Sequence, residues 1–167
     1  MYACATTQLA VGTAGDLTAE LEPLMEEGRV DLVIGGHVHG YERTHATGRN
    51  GATVVLPTQC KPEQGLQVDC YASPGAPVHI NVGMGGAGSL GHFKGKPELT
   101  ELRSSKWNAV SEEDGYGYVR VTVSSQYLLI EYVDIGERRW DRWSQHTPQP
   151  ERMSVMDRIL LAKYGGS

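Results

Sequence analysis

The sequence predicts an α/β or α+β fold, and two patterns carry this prediction. The first is a segment with apolar residues at helical spacing, residues 16–28, followed by the short β-branched run of residues 30–34. A helix that leads into a buried strand is typical of an α/β unit. The second is a pair of segments, residues 116–123 and 127–134, in which apolar and polar residues alternate. Such alternation indicates two strands with one buried face, joined as an antiparallel hairpin.

Length and composition restrict the classes of protein that fit. The chain has 167 residues, of which 40% are hydrophobic and 21% charged, with a net charge of −5. This length allows one domain with a hydrophobic core. Lysine and arginine are scattered rather than clustered, so nucleic acid is not an expected partner. No apolar run approaches the roughly 18 residues that span a bilayer, and the first residues lack the pattern of a signal peptide.

The helix of residues 16–28 has a clear start signal and one internal conflict. Asp16 is a favourable N-cap residue, and Gly28 is a suitable residue to end the helix. Pro23 lies between them, and an interior proline costs about 3 kcal/mol or kinks the helix. We therefore expect a kink at Pro23 or a helix that starts near Glu22.

Two histidines follow the strand of residues 30–34. His37 and His39 come directly after two glycines and are separated by one residue. Open α/β sheets place ligand sites at the carboxyl ends of their strands. On an extended backbone alternate side chains point the same way, so both imidazoles can face one cleft. Two such imidazoles form half of a metal site; the alternative is a pair of ordinary loop histidines.

The middle of the chain is rich in turn residues. Asn50 and Gly51 predict a hairpin turn between residues 44–47 and 53–56. Residues 77–82 predict a strand that runs into a glycine-rich turn at residues 83–88. The backbone amides of that turn could approach an anion, or the glycines have a purely structural use. The remaining stretches, residues 57–77 and 89–114, read as loops, the second anchored by Trp107.

The C-terminal end predicts a helix over about residues 151–164. Its apolar residues lie at helical spacing; they are Met153, Met156, Ile159 and Leu160.

The three cysteines leave two alternatives open. Cys60 and Cys70 bracket a polar loop and could form a disulfide in an oxidising compartment. The alternative is two free thiols. Cys4 is left over, and because no Cys-x-x-Cys pair exists, a zinc ribbon is not expected.

Three blocks in this order resemble the purple acid phosphatase branch of the metallophosphoesterase (calcineurin-like phosphoesterase) superfamily. Residues 36–43 read Gly-His-Val-His-Gly-Tyr-Glu-Arg, which is similar to that family's Gly-His-x-His-x-Tyr-Glu-Arg motif. Residues 77–88 resemble the strand and glycine-rich turn that follow it, and residues 115–121 resemble a late strand. The resemblance covers most of residues 16–134. It implies that residues 1–167 are a single C-terminal fragment of such a domain.

The resemblance implies a fold, a chemistry and a site. The family is a β-sandwich flanked by helices, secreted or lysosomal/vacuolar, that hydrolyses phosphate monoesters at acid pH. It uses a dinuclear centre of Fe³⁺ with Zn²⁺, Mn²⁺ or Fe²⁺. By resemblance His37 would bind the divalent metal and His39 the ferric ion. Tyr41, Glu42 and Arg43 would surround these ligands and fix the histidine loop; for Glu42 and Arg43 the alternative is a surface ion pair.

The family's remaining ligand motifs are absent from the sequence. These are Asp-x-Gly, Gly-Asp-x-x-Tyr, Gly-Asn-His-Glu and a histidine before a Pro-Met-Tyr-like segment. We therefore expect that the N-terminal half of the domain is missing and that the metal centre is incomplete. Met84 stands where the family usually has a carboxylate. Four further histidines match no ligand motif and are expected to be structural or exposed: His45, His79, His92 and His146.

Two functions from different classes follow. The first is the C-terminal half of a phosphatase domain, which is inactive alone. It contains no candidate catalytic residue other than the two metal ligands. The second is a non-catalytic remnant that acts as a binding or accessory module. Half of a sandwich leaves unpaired strand edges, so we expect self-association or pairing with the missing N-terminal half.

Overall fold

The computed structural model of the chain describes residues 13–36, 38–52, 54–60, 68–86, 105–112, 116–136 and 153–162. These residues form one α-helix, a short 3-10 helix at Arg49–Gly51 and eleven strands. The helix α1 spans Thr13–Glu27. The strands are β1 (Leu32–Gly35), β2 (Tyr41–Thr44), β3 (Ala46–Thr47), β4 (Val54–Val55), β5 (Thr58–Cys60), β6 (Val68–Ala72), β7 (Val78–Val82), β8 (Asn108–Glu112), β9 (Tyr116–Val123), β10 (Tyr127–Gly136) and β11 (Ser154–Ala162).

The strands form two larger mixed sheets and one small one. The four-stranded sheet has the order β1-β7-β2-β8, with β1 parallel to β7 and the other pairs antiparallel. The five-stranded sheet has the order β5-β6-β11-β10-β9, in which only β6 and β11 are parallel. Strands β3 and β4 form a separate antiparallel pair.

The two larger sheets share one hydrophobic core. Val78 and Ile80 of the four-stranded sheet lie in the same buried cluster as Ile130 and Ile159 of the five-stranded sheet. The ring of Tyr41 stacks on the ring of Tyr132 with the ring centroids 4.1 Å apart and an interplanar angle of 7°. The described residues therefore form a β-rich fold with a single α-helix. The predicted β-sheets are present, but the sheets are not clearly flanked by helices.

Helix α1 begins earlier than predicted and ends at Glu27, directly before the predicted stop at Gly28. It starts at Thr13, so the predicted cap at Asp16 and the predicted start near Glu22 are wrong, and Pro23 lies inside the helix. Its end is a Schellman motif, because the Val30 N–H donates to the Met25 carbonyl at 2.9 Å and the Arg29 N–H to the Glu26 carbonyl at 3.1 Å. The left-handed residue of this motif is Arg29, with a φ of 48°. No helix in the described ranges has the length and apolarity needed to cross a membrane.

The predicted hairpins are present. Strands β9 and β10 pair antiparallel, and the hydroxyl of Ser124 accepts the Tyr127 N–H at 2.9 Å in the turn between them. Strands β3 and β4 also pair, although the turn that contains Gly51 is a 3-10 helix rather than a two-residue turn.

The predicted C-terminal helix is wrong, because residues Ser154–Ala162 form strand β11. This strand lies between β6 and β10, which occupy both of its edges. Ile159 and Leu161 face the core between the sheets, while Leu160 joins a second buried cluster with Val68 and Cys70. Since both faces of the strand are apolar, its residues do not alternate in type and fit a helical spacing equally well.

Two segments read as loops also contain strands. Strands β5 and β6 lie within residues 57–77, and β8 lies within residues 89–114. Strand β1 is correct in position but not fully buried, because Ile34 is 47% exposed. Among the described strands β1 pairs only with β7 and therefore lies at a sheet edge.

Candidate metal site

His39 lies in a three-residue turn between β1 and β2. The Gly40 N–H donates to the Val38 carbonyl at 2.8 Å, which closes a turn of the γ type around His39. The backbone is therefore bent here, and the extended geometry used to predict a shared direction for the histidine pair does not apply to residues 38–40. His39 is half-buried. His37 lies outside the described residues.

The turn around His39 is held from strand β7. The side-chain amide of Asn81, which is 3% exposed, donates to the carbonyls of Val38 at 2.9 Å and Gly40 at 3.1 Å. The Gly83 N–H donates to the same Gly40 carbonyl at 2.9 Å. Asn81 in strand β7 and Gly83 directly after it therefore fix the loop that follows strand β1.

The glycine-rich turn packs directly against this loop. A Cβ atom at Gly83 would overlap the carbonyl oxygen of Val38, so only glycine fits there. The Gly83 amide is also committed to the Gly40 carbonyl. This described part of the turn therefore has a structural use. Residues 87 and 88 lie outside the described ranges.

The next residue, Met84, belongs to the core between the sheets. Its side chain is fully buried, and its Sδ atom accepts the hydroxyl of Tyr132 at 3.0 Å. The Gly117 N–H donates to the Met84 carbonyl at 3.2 Å. Met84 is therefore an apolar anchor of the core.

Tyr41 and Arg43 point into the space between the two sheets. The Tyr41 hydroxyl donates to Oδ2 of Asp157 at 2.6 Å, and Nε of Arg43 donates to the same oxygen at 2.6 Å. Nη2 of Arg43 also donates to Oδ1 of Asp157 at 3.0 Å and to Oδ2 of Asp69 at 3.1 Å. Arg43 is only 1% exposed, so the alternative of a surface ion pair is wrong for this residue.

The charges of this network are set by its burial and its pairing. Burial opposes a charged Arg43, but hydrogen bonding and attraction to Asp157 hold its pKa above the ordinary value. Burial, followed by the Asp157 charge, raises the pKa of Tyr41 far above its ordinary range. Burial also raises the pKa of Tyr71 to about 12. Both phenols are therefore neutral at physiological pH; the Tyr41 hydroxyl donates to Asp157, and the Tyr71 hydroxyl accepts from Nη1 of Arg43.

Glu42 lies on the other face of β2. It is half-buried and is paired in register with Asn81 of β7 and Ser111 of β8. Because directly paired residues project to the same face of a sheet, Glu42 shares a face with the residue that holds the His39 turn. Of Tyr41, Glu42 and Arg43, Glu42 is therefore the residue on the face of β2 that it shares with Asn81.

Two of the four remaining histidines are described, and both are packed into the fold. The His79 N–H donates to Oγ1 of Thr44 at 3.0 Å, and burial lowers the pKa of the His79 imidazole to about 3. Nδ1 of His45 lies 3.1 Å from the Tyr71 hydroxyl, and burial lowers the pKa of His45 as well. His92 and His146 lie outside the described residues.

Among the described residues, His39 is the candidate metal ligand. Nowhere in the described ranges do three or more His, Cys, Asp or Glu side chains come together in a metal-binding group. Imidazole is a suitable ligand for iron and zinc, and His39 is a half-buried imidazole on a fixed turn. The donor set therefore fits a contribution to such a centre and does not complete one.

Sequence reasoning missed Asn81. The signal was present, because Asn81 interrupts the otherwise apolar end of a strand, Ile80-Asn81-Val82. A buried amide requires hydrogen-bond partners, and here those partners are the carbonyls on either side of His39.

Cys60 and Cys70 form a disulfide between neighbouring strands β5 and β6, with their Cα atoms 5.8 Å apart. This excludes the alternative of two free thiols in the folded chain. Cys4 lies outside the described residues.

Comparison with known proteins supports the resemblance to the purple acid phosphatases. Residues 76–139 match the family described as iron/zinc purple acid phosphatase-like protein C. Purple acid phosphatase 18 of Arabidopsis thaliana is 30% identical over 114 residues, which cover 68% of this chain and 20% of the plant protein. An uncharacterized protein of Mycobacterium tuberculosis (Rv2577) is 28% identical over 146 residues, covering 70% of this chain and 27% of the relative.

The chain thus spans between about a fifth and about a quarter of the length of these relatives. The family match spans strands β7 to β10, and within it Asn81 of β7 and Gly83 of the glycine-rich turn hold the His39 turn. Residues 76–139 are therefore a purple acid phosphatase-like C-terminal segment, and the chain is related to the C-terminal portion of these metallophosphoesterases.

Proposed function

We propose that this chain supplies the histidine loop of a dinuclear metal centre that hydrolyses phosphate monoesters, and that it is inactive alone. The observation that carries the proposal is the position of His39 on a turn held by Asn81 and Gly83. In this proposal His37 binds the divalent metal and His39 the ferric ion. His37 and His39 would hold part of the metal pair, which would supply Lewis-acid stabilisation of the phosphate and a nucleophile derived from water at moderate pH.

The chain's own residues hold and direct ligands rather than carry the reaction. The two phenols nearest the motif, Tyr41 and Tyr71, are neutral and are committed to the link between the sheets, Tyr41 as a donor to Asp157 and Tyr71 as an acceptor from Arg43. Neither is suited to act as a tyrosinate ligand. By the resemblance, the intact centre also needs a bridging carboxylate and a tyrosinate, and these would come from sequence outside the described residues or from another polypeptide.

The edge of the four-stranded sheet supports completion by further sequence. Strand β1 has one neighbour among the described strands, and Ile34 at its carboxyl end is 47% exposed. An open edge beside the histidine loop can accept another strand. A second copy of this chain would bring the same two histidines and none of the absent carboxylate motifs, so a polypeptide with the N-terminal ligand motifs is the partner proposed.

The second candidate function is a non-catalytic binding or accessory module. It is favoured by the use of Tyr41 and Arg43 as structural links between the sheets, since this part of the motif has a role without a metal. In either case we propose a secreted or lysosomal/vacuolar protein, for which the Cys60–Cys70 disulfide is the supporting observation.

The test is hydrolysis of p-nitrophenyl phosphate by the purified chain with added iron and zinc. We expect no turnover above that of a His37→Ala/His39→Ala variant. Co-expression with a polypeptide that carries the Asp-x-Gly and Gly-Asn-His-Glu motifs should give turnover that this double variant abolishes and that a His146→Ala control retains. Robust turnover by the chain alone would overturn the incomplete-site proposal, and an inactive, metal-free complex would favour the accessory module.

A further inference from the structure

We propose that Asn81 is the positioning residue of the His39 turn and sets the direction in which the imidazole is presented. One amide nitrogen donates to the carbonyls on both sides of His39, at 2.9 Å to Val38 and 3.1 Å to Gly40. The side chain therefore spans the turn as a brace. The role of His39 as a metal ligand rests on the proposed function, whereas the brace itself rests on the described contacts.

The brace is anchored in a rigid part of the fold. Strand β7 has neighbours on both sides, and the backbone of Asn81 is paired with Gly35 of β1 and Glu42 of β2. These are the strands that enter and leave the histidine loop. The amide is therefore fixed relative to both ends of the loop, which is what a precisely held ligand requires.

The two carbonyls do not depend on Asn81 for a hydrogen bond. The Val38 carbonyl also accepts the Gly40 N–H at 2.8 Å, and the Gly40 carbonyl also accepts the Gly83 N–H at 2.9 Å. Loss of the Asn81 amide therefore leaves each carbonyl with a donor. The variant loses only the link that one nitrogen of Asn81 makes between the two carbonyls. We therefore expect the turn to become less ordered while the fold is kept.

The chemistry of the position explains why an amide is suited to it. The NH₂ group of asparagine offers two donor protons, and the two acceptors lie within reach of the same nitrogen. A leucine has nearly the same shape and no donor, and a serine has a single donor on a shorter side chain. The series Asn81→Ser and Asn81→Leu therefore weakens the brace in steps.

The primary test is amide hydrogen exchange measured by NMR on the full chain. In Asn81→Leu we expect the protection factor of the Gly40 N–H to fall about tenfold or more, with a smaller fall in Asn81→Ser. The Val78 N–H, which donates to the Asp31 carbonyl at the opposite end of β7, is the internal reference and should be unchanged. A variant with the same chemical change elsewhere, Asn108→Leu in β8, is the matched control.

The outcomes separate the brace from the proposed function. A selective loss of protection at Gly40 supports the brace, and equal protection at Gly40 in the wild-type chain and in Asn81→Leu overturns it. An equal fall at Gly40 and Val78 indicates a general loss of stability and also overturns it; if Asn81→Leu does not fold, the same comparison is decided with Asn81→Ser.

A second readout concerns the ligand role of His39. Titration of the complemented protein with Zn²⁺ should give a Kd that is about ten to a hundredfold higher in Asn81→Leu than in Asn108→Leu. If Gly40 loses protection but no variant binds Zn²⁺, the brace stands and the proposed metal function fails. If Zn²⁺ binds and its Kd is the same in both variants, Asn81 does not position His39 for metal binding.

Discussion

Arg43 on β2 and Asp157 on β11 form a buried ion pair with two contacts, Nε to Oδ2 at 2.6 Å and Nη2 to Oδ1 at 3.0 Å. The residues are 114 positions apart in sequence and belong to different sheets. Bidentate pairs of this kind are stronger and more specific than single contacts. The last residue of the Gly-His-x-His-x-Tyr-Glu-Arg motif thus connects the loop-bearing sheet to the sheet behind it.

Removal of the carboxylate should destabilise the fold strongly. In Asp157→Ala the guanidinium of Arg43 stays buried without its main partner, and breaking a buried pair in this way costs about 3–5 kcal/mol. The free energy of unfolding, measured by urea denaturation, checks this value. The control is Glu26→Ala, which breaks an ion pair whose side chains are 51% and 70% exposed and should cost at most about 1 kcal/mol. Similar losses in both variants would contradict the structural role of Arg43.

The close approach of the glycine-rich turn gives a second prediction. Gly83→Ala places a methyl group on the Val38 carbonyl, so the turn around His39 must move, and overpacking of this kind costs about 1–3 kcal/mol. Gly85→Ala is the matched control, because nothing lies within 4 Å of a Cβ at that position. Thermal unfolding of the two variants measures the difference. A Gly83→Ala protein as stable as Gly85→Ala would show that the loop does not pack on the glycine.

Local patterns were sufficient for some elements and not for others. The β9–β10 hairpin was predictable because its strands alternate, are adjacent in sequence and are joined by a short turn. Strand β11 was not, because both of its faces are apolar, Ile159 and Leu161 in the core between the sheets and Leu160 in the second cluster, so its residues do not alternate in type. Strands β6 and β8 are defined by pairing with distant strands, which no local pattern reports.

The same division applies to the candidate site. His39 was identified from the motif alone, but its bent backbone depends on Asn81 and Gly83, which lie more than forty positions away. The motif also does not reveal which of its side chains face the histidines. Tyr41 and Arg43 face the core between the sheets and Glu42 shares a face with Asn81, since residues alternate along a strand.

The disulfide should stabilise the five-stranded sheet. It joins residues 10 positions apart, and closing a loop of that size in the unfolded chain contributes about 2–3 kcal/mol in the chain-entropy model. A Cys60→Ser/Cys70→Ser variant should lose this amount in urea denaturation, and a reducing agent should have the same effect on the wild-type chain. Cys4→Ser should leave the stability and its response to the reductant unchanged. A reductant effect that persists in the double variant would contradict the assignment.

The free energy of unfolding should decrease as the pH is lowered below 6.5, because of His79. Burial lowers the pKa of its imidazole from 6.5 to about 3 in the folded chain. Between these two values the unfolded chain binds a proton that the folded chain does not, so the free energy of unfolding decreases as the pH falls. The contribution is complete above pH 6.5 and is lost progressively towards pH 3, with a slope of up to about 1.4 kcal/mol per pH unit.

Glu131 adds a smaller effect of the same sign. Burial opposes its charge, but hydrogen bonds from Arg158 and Arg120 outweigh burial and lower its pKa. Its contribution is therefore also present above its unfolded pKa and lost as the pH falls. Its effect falls at lower pH than that of His79, because its ordinary pKa is 4.5.

His79→Phe isolates the histidine, since it keeps an aromatic ring in β7 and removes the titrating group. The stability of this variant, measured in urea between about pH 7 and about pH 5, should decline less steeply than that of the wild-type chain, and His45, whose pKa burial also lowers, accounts for the remaining decline. Arg120→Ala is the control, because it weakens only the Glu131 ion pair and should leave the decline in this range intact. Parallel curves for the wild-type chain and His79→Phe would show that another group binds the proton.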